Sequence, residues 1–287
     1  MENNSSDALV NAASNDQRVD AARLQMDNDR LNDRYNRAKE LLENDKKVVP
    51  PFWVSKYKKE AARNWDLFYK RNTTKFFKDR HWTEREFEEL ADRSKKQTCL
   101  EIGCGVGNFL FPILAENSNI FIYACDFSKR AVDMVKSNEQ YDESRCKAFV
   151  CDITADALTD NIPPETVDLV SAIFVFSAIP PEKLGLAIRN VYNILKPGGC
   201  ILFRDYGLYD EAQLKFSAAS DKKLDENLYV RQDGTMSYFF SVEDLQQRFE
   251  AEGFQTLKNE YIYRETTNRR LELNVDRIFV QAKFQKP

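Results

Sequence analysis

The chain has 287 residues, 43% of them hydrophobic, with 42 Lys and Arg against 46 Asp and Glu for a net charge of −4. That length fits one large α/β domain with additions better than two full domains, and the balance of apolar and charged residues excludes a wholly disordered chain. No apolar run is long enough to cross a bilayer, and an acidic total speaks against nucleic acid unless basic residues cluster locally.

Residues 1–15 are rich in Asn, Ser and Ala and are expected to be disordered. The opening has neither a basic-then-apolar leader nor an Arg-rich transit-peptide character, so a cytoplasmic location is expected, with the nucleus as the other possibility. From Asp16 to about Asp45, Leu24, Leu31, Tyr35, Ala38 and Leu42 recur at helical spacing as one narrow amphipathic stripe. The Val48-Val49-Pro50-Pro51 step should end it, because a residue before proline is pushed out of the helical region. Residues 1–50 are thus read as a flexible or helical extension and 51–97 as a helical segment, with helices over 55–70 and 83–93. Between Lys56 and Arg80 lie nine Lys and Arg against three acids, a local +6 interleaved with Trp65, Phe68, Tyr69, Phe76 and Phe77. Taken alone, such a run is as easily a solvated helical face as a nucleic-acid surface.

Alternation of strands and helices begins at Thr98. Strand Thr98–Gly103 leads through a glycine loop into helix Asn108–Ala115, then strand Ile120–Asp126, a helix near Lys129–Asn138, and strand Ala148–Asp152. Val167–Phe176 is nearly all apolar, as a strand buried on both faces must be. Helix Glu182–Leu195 stops at Lys-Pro-Gly-Gly, strand Cys200–Asp205 follows, and Asn259–Arg264 with Asp276–Lys283 should form a closing hairpin. This order predicts a doubly wound, mostly parallel seven-stranded sheet with helices on both faces and ligands at the strand carboxyl ends. Residues 98–287 form that domain. An aromatic insertion of about 206–240 leaves one of its central strands, and an insertion of that length is usually functional.

The glycine loop reads Glu101-Ile102-Gly103-Cys104-Gly105-Val106-Gly107-Asn108. Glycines 103, 105 and 107 let the backbone approach a ligand closely, whereas a dinucleotide fingerprint would place glycine at 108. The spacing resembles motif I of class I methyltransferases, which implies S-adenosyl-L-methionine as cofactor. Asp126, at the end of the second strand, can accept both ribose hydroxyls. Asp152, at the end of the third, can accept from the adenine amine, with Ile153 covering the ring. Ile173, at the end of the fourth, is expected at the methionine portion, with simple core as an equally good reading. Six cysteines without a C-x-x-C pair and a single histidine, His81, leave no zinc ligand set, so no metal is expected, and a His-based triad is improbable.

The amino-methylating D/N-P-P-Y/F signature is absent from Ile173-Phe174-Val175-Phe176-Ser177-Ala178. Longer motifs are informative instead: Asn64-Trp65-Asp66-Leu67-Phe68-Tyr69-Lys70-Arg71-Asn72, Phe76-Phe77-Lys78-Asp79-Arg80-His81-Trp82, Phe203-Arg204-Asp205-Tyr206-Gly207-Leu208-Tyr209-Asp210 and Tyr229-Val230-Arg231-Gln232-Asp233-Gly234-Thr235. They resemble the tRNA N3-methylcytidine methyltransferases from about residue 60 to the C-terminus. The resemblance implies methylation of cytidine 32 in the anticodon loop, serine tRNA as substrate, seryl-tRNA synthetase as helper, and Trp65 and Tyr69 folded over the cofactor. A monomer is expected. Aromatics that stack on bases and cations that track phosphates place Lys70, Arg71, Phe76, Lys78, Arg80, His81, Tyr229 and Arg231 at the RNA. Asp205 is expected to stabilise the cationic product ring, Arg204 to hold O2 or a phosphate, and Tyr206 to orient or stack on the base, unless Arg204 and Asp205 pair with each other or with the loop to set its shape. Rival readings are a methyltransferase acting on protein or a small molecule, and a noncatalytic RNA-binding subunit.

Overall fold

The structure, a computed structural model, describes residues 33, 35–219, 221–268 and 273–287. The chain divides into two compact units, residues 1–46 and 47–287. In the first, residues 35–44 are helical, as the stripe predicts; its earlier members Leu24 and Leu31, and the stretch 1–15, lie outside the described residues.

The second unit opens with α1 (Pro51–Lys59) and α2 (Ala61–Asn72). Rather than preceding a gap, the Pro50-Pro51 step starts α1, since a proline at the first helical position loses no hydrogen bond and presets the backbone. The single helix expected over 83–93 is two short turns, Thr83–Glu86 and Glu88–Ala91, parted by Phe87 in extended backbone. Seven strands follow in one sheet: β1 (Gln97–Ile102), β2 (Ile120–Asp126), β3 (Cys146–Val150), β4 (Val167–Ile173), β5 (Leu195–Tyr206), β9 (Gln255–Asn268) and β10 (Leu273–Gln285). Their order is β3-β2-β1-β4-β5-β10-β9. Strands β1 to β5 run parallel, and β10 is antiparallel to both β5 and β9. The chain thus crosses over between β1 and β4, the place where a doubly wound sheet opens a ligand crevice at its carboxyl ends.

Period-two alternation sends neighbouring residues to two separate cores. Leu100, Val170, Ala172, Ile201 and Phe203 pack with α5 (Leu184–Ile194) and α7 (Val242–Ala251). Cys99, Leu169, Ile173, Cys200 and Leu202 face the other way, onto α3 (Leu110–Glu116) and α4 (Lys129–Lys136). Helices therefore cover both faces, as the apolar strands require. The insertion after β5 is ordered: α6 (Glu211–Ser217) precedes a second sheet of β6 (Lys223–Asp225), β7 (Leu228–Val230) and β8 (Met236–Tyr238). No helix among the described residues is long and apolar enough to cross a membrane.

Candidate active site

Two cavities open at the carboxyl ends of β1, β2 and β4 and share the walls Trp65, Tyr69, Gly103 and Phe174. The first, about 260 Å³, runs from Asp126, Asp152 and Ile153 to Val175 and Ile179. The second, about 320 Å³, is lined by Tyr206, Phe279, Arg80, Arg231 and Arg277 among others.

The glycine loop builds the junction. Gly105 has φ +54°, and a Cβ there would lie 2.9 Å from the Tyr69 hydroxyl; Gly107 has φ +90°, and its Cβ would enter the Phe111 ring at 2.3 Å. Only glycine tolerates both demands. Gly107 lines neither cavity, so its role is to seat α3 rather than to meet a ligand. Asp126 ties the loop down. Its carboxylate accepts from Gly105 N–H at 3.0 Å and from Ser128 N–H at 2.8 Å, and burial pushes its pKa up to about 6. Ser128 in turn donates its hydroxyl to Asp66 of α2 at 2.9 Å. A chain of hydrogen bonds therefore couples the strand-end acid to the helix carrying Trp65 and Tyr69, which lie one turn apart on a common face. Asp66 is a site residue that sequence reasoning missed.

Asp152 accepts from Thr154 N–H and hydroxyl at 2.9 and 2.7 Å and lines the first cavity beside Ile153. Ile173 does not reach a cavity. Its side chain is 1% exposed in the core facing α3 and α4, and the following residues Phe174 and Val175 form the wall instead. Two buried polar atoms have no partner at the junction: Trp65 Nε1 and Glu101 Oε2. Desolvation pushes Glu101 up to about 8, against the pull of Arg80. Each is an unmet hydrogen-bonding group in a cavity wall, the expected sign of a place for a polar ligand.

The expected catalytic trio separates. Consecutive strand residues point to opposite faces, and only Tyr206 lines the second cavity. Arg204 and Asp205 do not pair: Arg204 bonds Glu86 at 3.0 Å and lies over the Trp82 ring at 4.7 Å. Asp205, fully buried, accepts from Ser177 N–H and Tyr206 N–H, each at 2.9 Å. It cannot touch a base in this arrangement. Tyr206 is held by Arg231, which donates to its hydroxyl at 3.1 Å, and faces Phe174 with ring centroids 5.3 Å apart.

Of the expected RNA contacts, Lys70, Arg71, Phe76, Lys78 and His81 are exposed on or just after α2. Arg80 is not a surface group. It lines the second cavity and donates to the Ile173 carbonyl at 3.0 Å. Tyr229 is 1% exposed, closed in by Phe216 and Phe239, and unavailable for stacking. Two residues that sequence reasoning missed replace it. The register of β10 on β5 sets Phe279 opposite Tyr206. Arg277, held by the buried Asp210 at 2.8 Å, lies over the rings of Tyr206 and Phe279 at 5.6 and 5.2 Å. All six cysteines are free and buried, and no cluster able to hold a metal ion occurs among the described residues.

Residues 100–201 match the methyltransferase domain family. The chain is 56% identical over 252 residues to tRNA N(3)-cytidine methyltransferase METTL6 of Homo sapiens, covering 86% of this chain and 88% of the human protein. It belongs to the tRNA N(3)-cytidine methyltransferase family. Schizosaccharomyces pombe tRNA N(3)-methylcytidine methyltransferase trm141 is 47% identical, with 82% and 96% covered. Among solved structures, a SAM-dependent methyltransferase from Anabaena variabilis superposes with a TM-score of 0.58 at 15% identity, over 79% of this chain and 95% of its own. Haemonchus contortus phosphoethanolamine N-methyltransferase 2, in complex with S-adenosyl-L-methionine, gives 0.52 at 14% identity over 79% and 56%. These two establish the fold.

Proposed function

We propose that this chain transfers the methyl group of S-adenosyl-L-methionine to N3 of a cytidine in tRNA. The observation that carries the reading is the pair of cavities joined through Trp65, Tyr69, Gly103 and Phe174, one rich in acceptors and one rich in arginine and aromatic rings.

The first cavity fits the cofactor. Asp126 would hold the ribose hydroxyls, Asp152 the adenine amine, and Ile153 with the Trp65 and Tyr69 rings the apolar faces, while Glu101, in the wall of the adjoining second cavity, would offer its open oxygen to an ammonium. When bound, S-adenosyl-L-methionine supplies an electrophilic methyl group on a sulfonium. In the second cavity Tyr206, Phe174 and Phe279 offer faces for a flipped-out base, and Arg231 and Arg277 offer donors to its carbonyl or to phosphate. Cytosine N3 is unprotonated at neutral pH and carries an in-plane lone pair. The N3–carbon bond forms as the carbon–sulfur bond breaks, the electron pair leaves on sulfur, and the positive charge passes to the ring. No proton needs to move, so orientation of the base supplies much of the rate.

The finer terms of the reading are cytidine 32 of serine tRNA as the target, seryl-tRNA synthetase as helper, a monomeric enzyme and a cytoplasmic location. They extend the family membership, and the target and the helper are tested by mass spectrometry of tRNA nucleosides after reaction, with and without synthetase, on serine tRNA carrying cytidine or uridine at position 32. N3-methylcytidine should form only with cytidine. Its absence from every tRNA tried would refute the reading.

Salt dependence probes the surface after α2. Replacing Lys70, Arg71 or Lys78 by alanine should each flatten the slope of log affinity for tRNA against log salt by about one unit. Lys58, held by Glu182 at 3.0 Å, and Arg63, held by Glu60 at 3.4 Å, should contribute less. The junction is probed by Gly105→Ala. The new Cβ pushes the Tyr69 hydroxyl and the φ of +54° adds strain, so cofactor affinity should fall by about tenfold. Removing that hydroxyl by Tyr69→Phe in the same chain should restore part of the loss, as read by calorimetry.

A further inference from the structure

Resting on the reading above, we propose that Arg80 binds the carboxylate of the cofactor's amino-acid end, so that Arg80 and Glu101 together recognise a zwitterion at the junction of the two cavities.

The basic run offers Arg80 to RNA, yet its backbone is laced to the glycine loop. Arg80 N–H donates to the Asn108 carbonyl at 2.8 Å, and the Asn108 amide donates to the carboxylate of Asp79, the residue before it, at 2.9 Å. Asn108 stands where a dinucleotide-binding loop would have glycine, and here it carries the lacing on both sides. The half-buried Arg80 side chain then reaches the carboxyl end of β4, where its Nη1 donates to the Ile173 carbonyl at 3.0 Å. It shares the wall of the second cavity with Glu101, Gly103, Gly105 and Tyr69.

The other arginines of that cavity are engaged on the base side. Arg277 is held by Asp210 at 2.8 Å, and Arg231 donates to the Tyr206 and Ser237 hydroxyls at 3.1 and 2.9 Å. Arg80 differs, because its side chain donates to a neutral carbonyl and forms no ion pair among the described residues. Facing it is Glu101, 2% exposed, with a carboxylate oxygen that has no partner. Burial pushes the Arg80 pKa down, and Glu101 is foremost among the acids that hold it up. The two charges therefore feel one another without pairing. A buried charge is stable when it is paired, so Glu101 calls for a cation and Arg80 for an anion. An α-amino acid carries both on a single carbon. The guanidinium fork matches a carboxylate, and the N–H groups not given to Ile173 remain for it. An RNA phosphate would bring negative charge beside Glu101 with no ammonium to offset it, which favours the zwitterion.

Calorimetry on the full-length protein, without tRNA, reads the contact with two ligands. One is S-adenosyl-L-methionine; the other is its decarboxylated form, which keeps the adenosine, the sulfonium and the ammonium. Wild type should bind the complete cofactor about 10–100-fold more tightly, the effect of one charge-assisted contact of this kind. Arg80→Gln should lose that preference through weaker binding of S-adenosyl-L-methionine, while the decarboxylated form keeps its wild-type affinity. Arg80→Lys, which retains the charge but not the fork, should fall between. A variant that only loosens β4 or folds in part weakens both ligands alike, so the ratio reports the contact rather than the fold. If Arg80→Gln keeps the wild-type ratio, or if wild type binds the two ligands equally, Arg80 does not hold the carboxylate, while the proposed activity still stands. If wild type binds neither ligand, the functional reading itself fails and this inference with it.

Discussion

Asp126→Ala should raise the dissociation constant for S-adenosyl-L-methionine by about 10²-fold, a loss of about 3 kcal/mol. The ribose contact is one part of that loss. The other is local: the same carboxylate accepts from Gly105 N–H at 3.0 Å and Ser128 N–H at 2.8 Å. Alanine leaves both donors without their acceptor, loosens the glycine loop, and cuts the chain of bonds from Ser128 to Asp66 that holds α2 over the cavity. A pH dependence should accompany the loss. Burial pushes the Asp126 pKa up to about 6, and only the ionised form is a pure acceptor. Wild-type affinity should therefore be level above pH 7 and weaken as the pH falls through about 6, by up to tenfold per unit. Asp126→Ala should lack that dependence on pH. Calorimetry between pH 5 and 8 reads both effects, and an affinity indifferent to the substitution would remove Asp126 from the cofactor site.

Most of the frame that places Asp126 was legible in the sequence. Alternating strands and helices, each ended by a recognisable turn, give the parallel order, and the carboxyl ends of β1, β2 and β3 then put Gly103, Asp126 and Asp152 together without further assumptions. Of the two readings of Ile173, at the methionine portion or in the core, the structure takes the core one. Its neighbour in the register, Arg204, belongs to a different layer from Asp205, and counting alternate residues back from the cores would have shown that Arg204, Asp205 and Tyr206 cannot all meet one base. Tyr229 looked like a stacking residue because it sits in an aromatic insertion. The same aromatics bury it: Phe216, Tyr229 and Phe239 form a small core of their own. Arg277 and Phe279 gave no local sign of function. They reach the second cavity only because β10 pairs antiparallel with β5, a contact between segments some seventy residues apart in sequence. Asp66 was hidden for the same kind of reason, since its partners Ser128 and Arg130 lie at the start of another helix, some sixty residues on.

Asp205→Asn is the substitution that best separates a charge acting on the reaction from a strut beneath the site. An electrostatic stabiliser in contact with the base would lose about 10²–10³-fold in the methyl-transfer rate and leave the melting temperature alone. Asp205 is fully buried, and its two oxygens each accept a backbone N–H, from Tyr206 and from Ser177. Asparagine has one acceptor oxygen and one amide group, so one of those donors must face another donor. An unmet buried N–H of this kind weighs about 1–3 kcal/mol, which lowers the melting temperature by roughly 2–12 °C in a domain of this size. Burial pushes the Asp205 pKa up to about 6, so at neutral pH the fold bears an ionised group that the asparagine variant relieves, a partial offset that should shrink below pH 6. The deficit of Asp205→Asn in melting temperature relative to wild type should accordingly widen as the pH is lowered towards 5. The rate should fall as well, because Tyr206 and Ser177 lose the anchor that positions them. Its defining mark is the accompanying loss of stability. Should Asp205→Asn melt with wild type at both pH 7 and pH 5 while the chemical step slows a hundredfold, the carboxylate acts on the developing positive charge after all, and the strut reading is wrong.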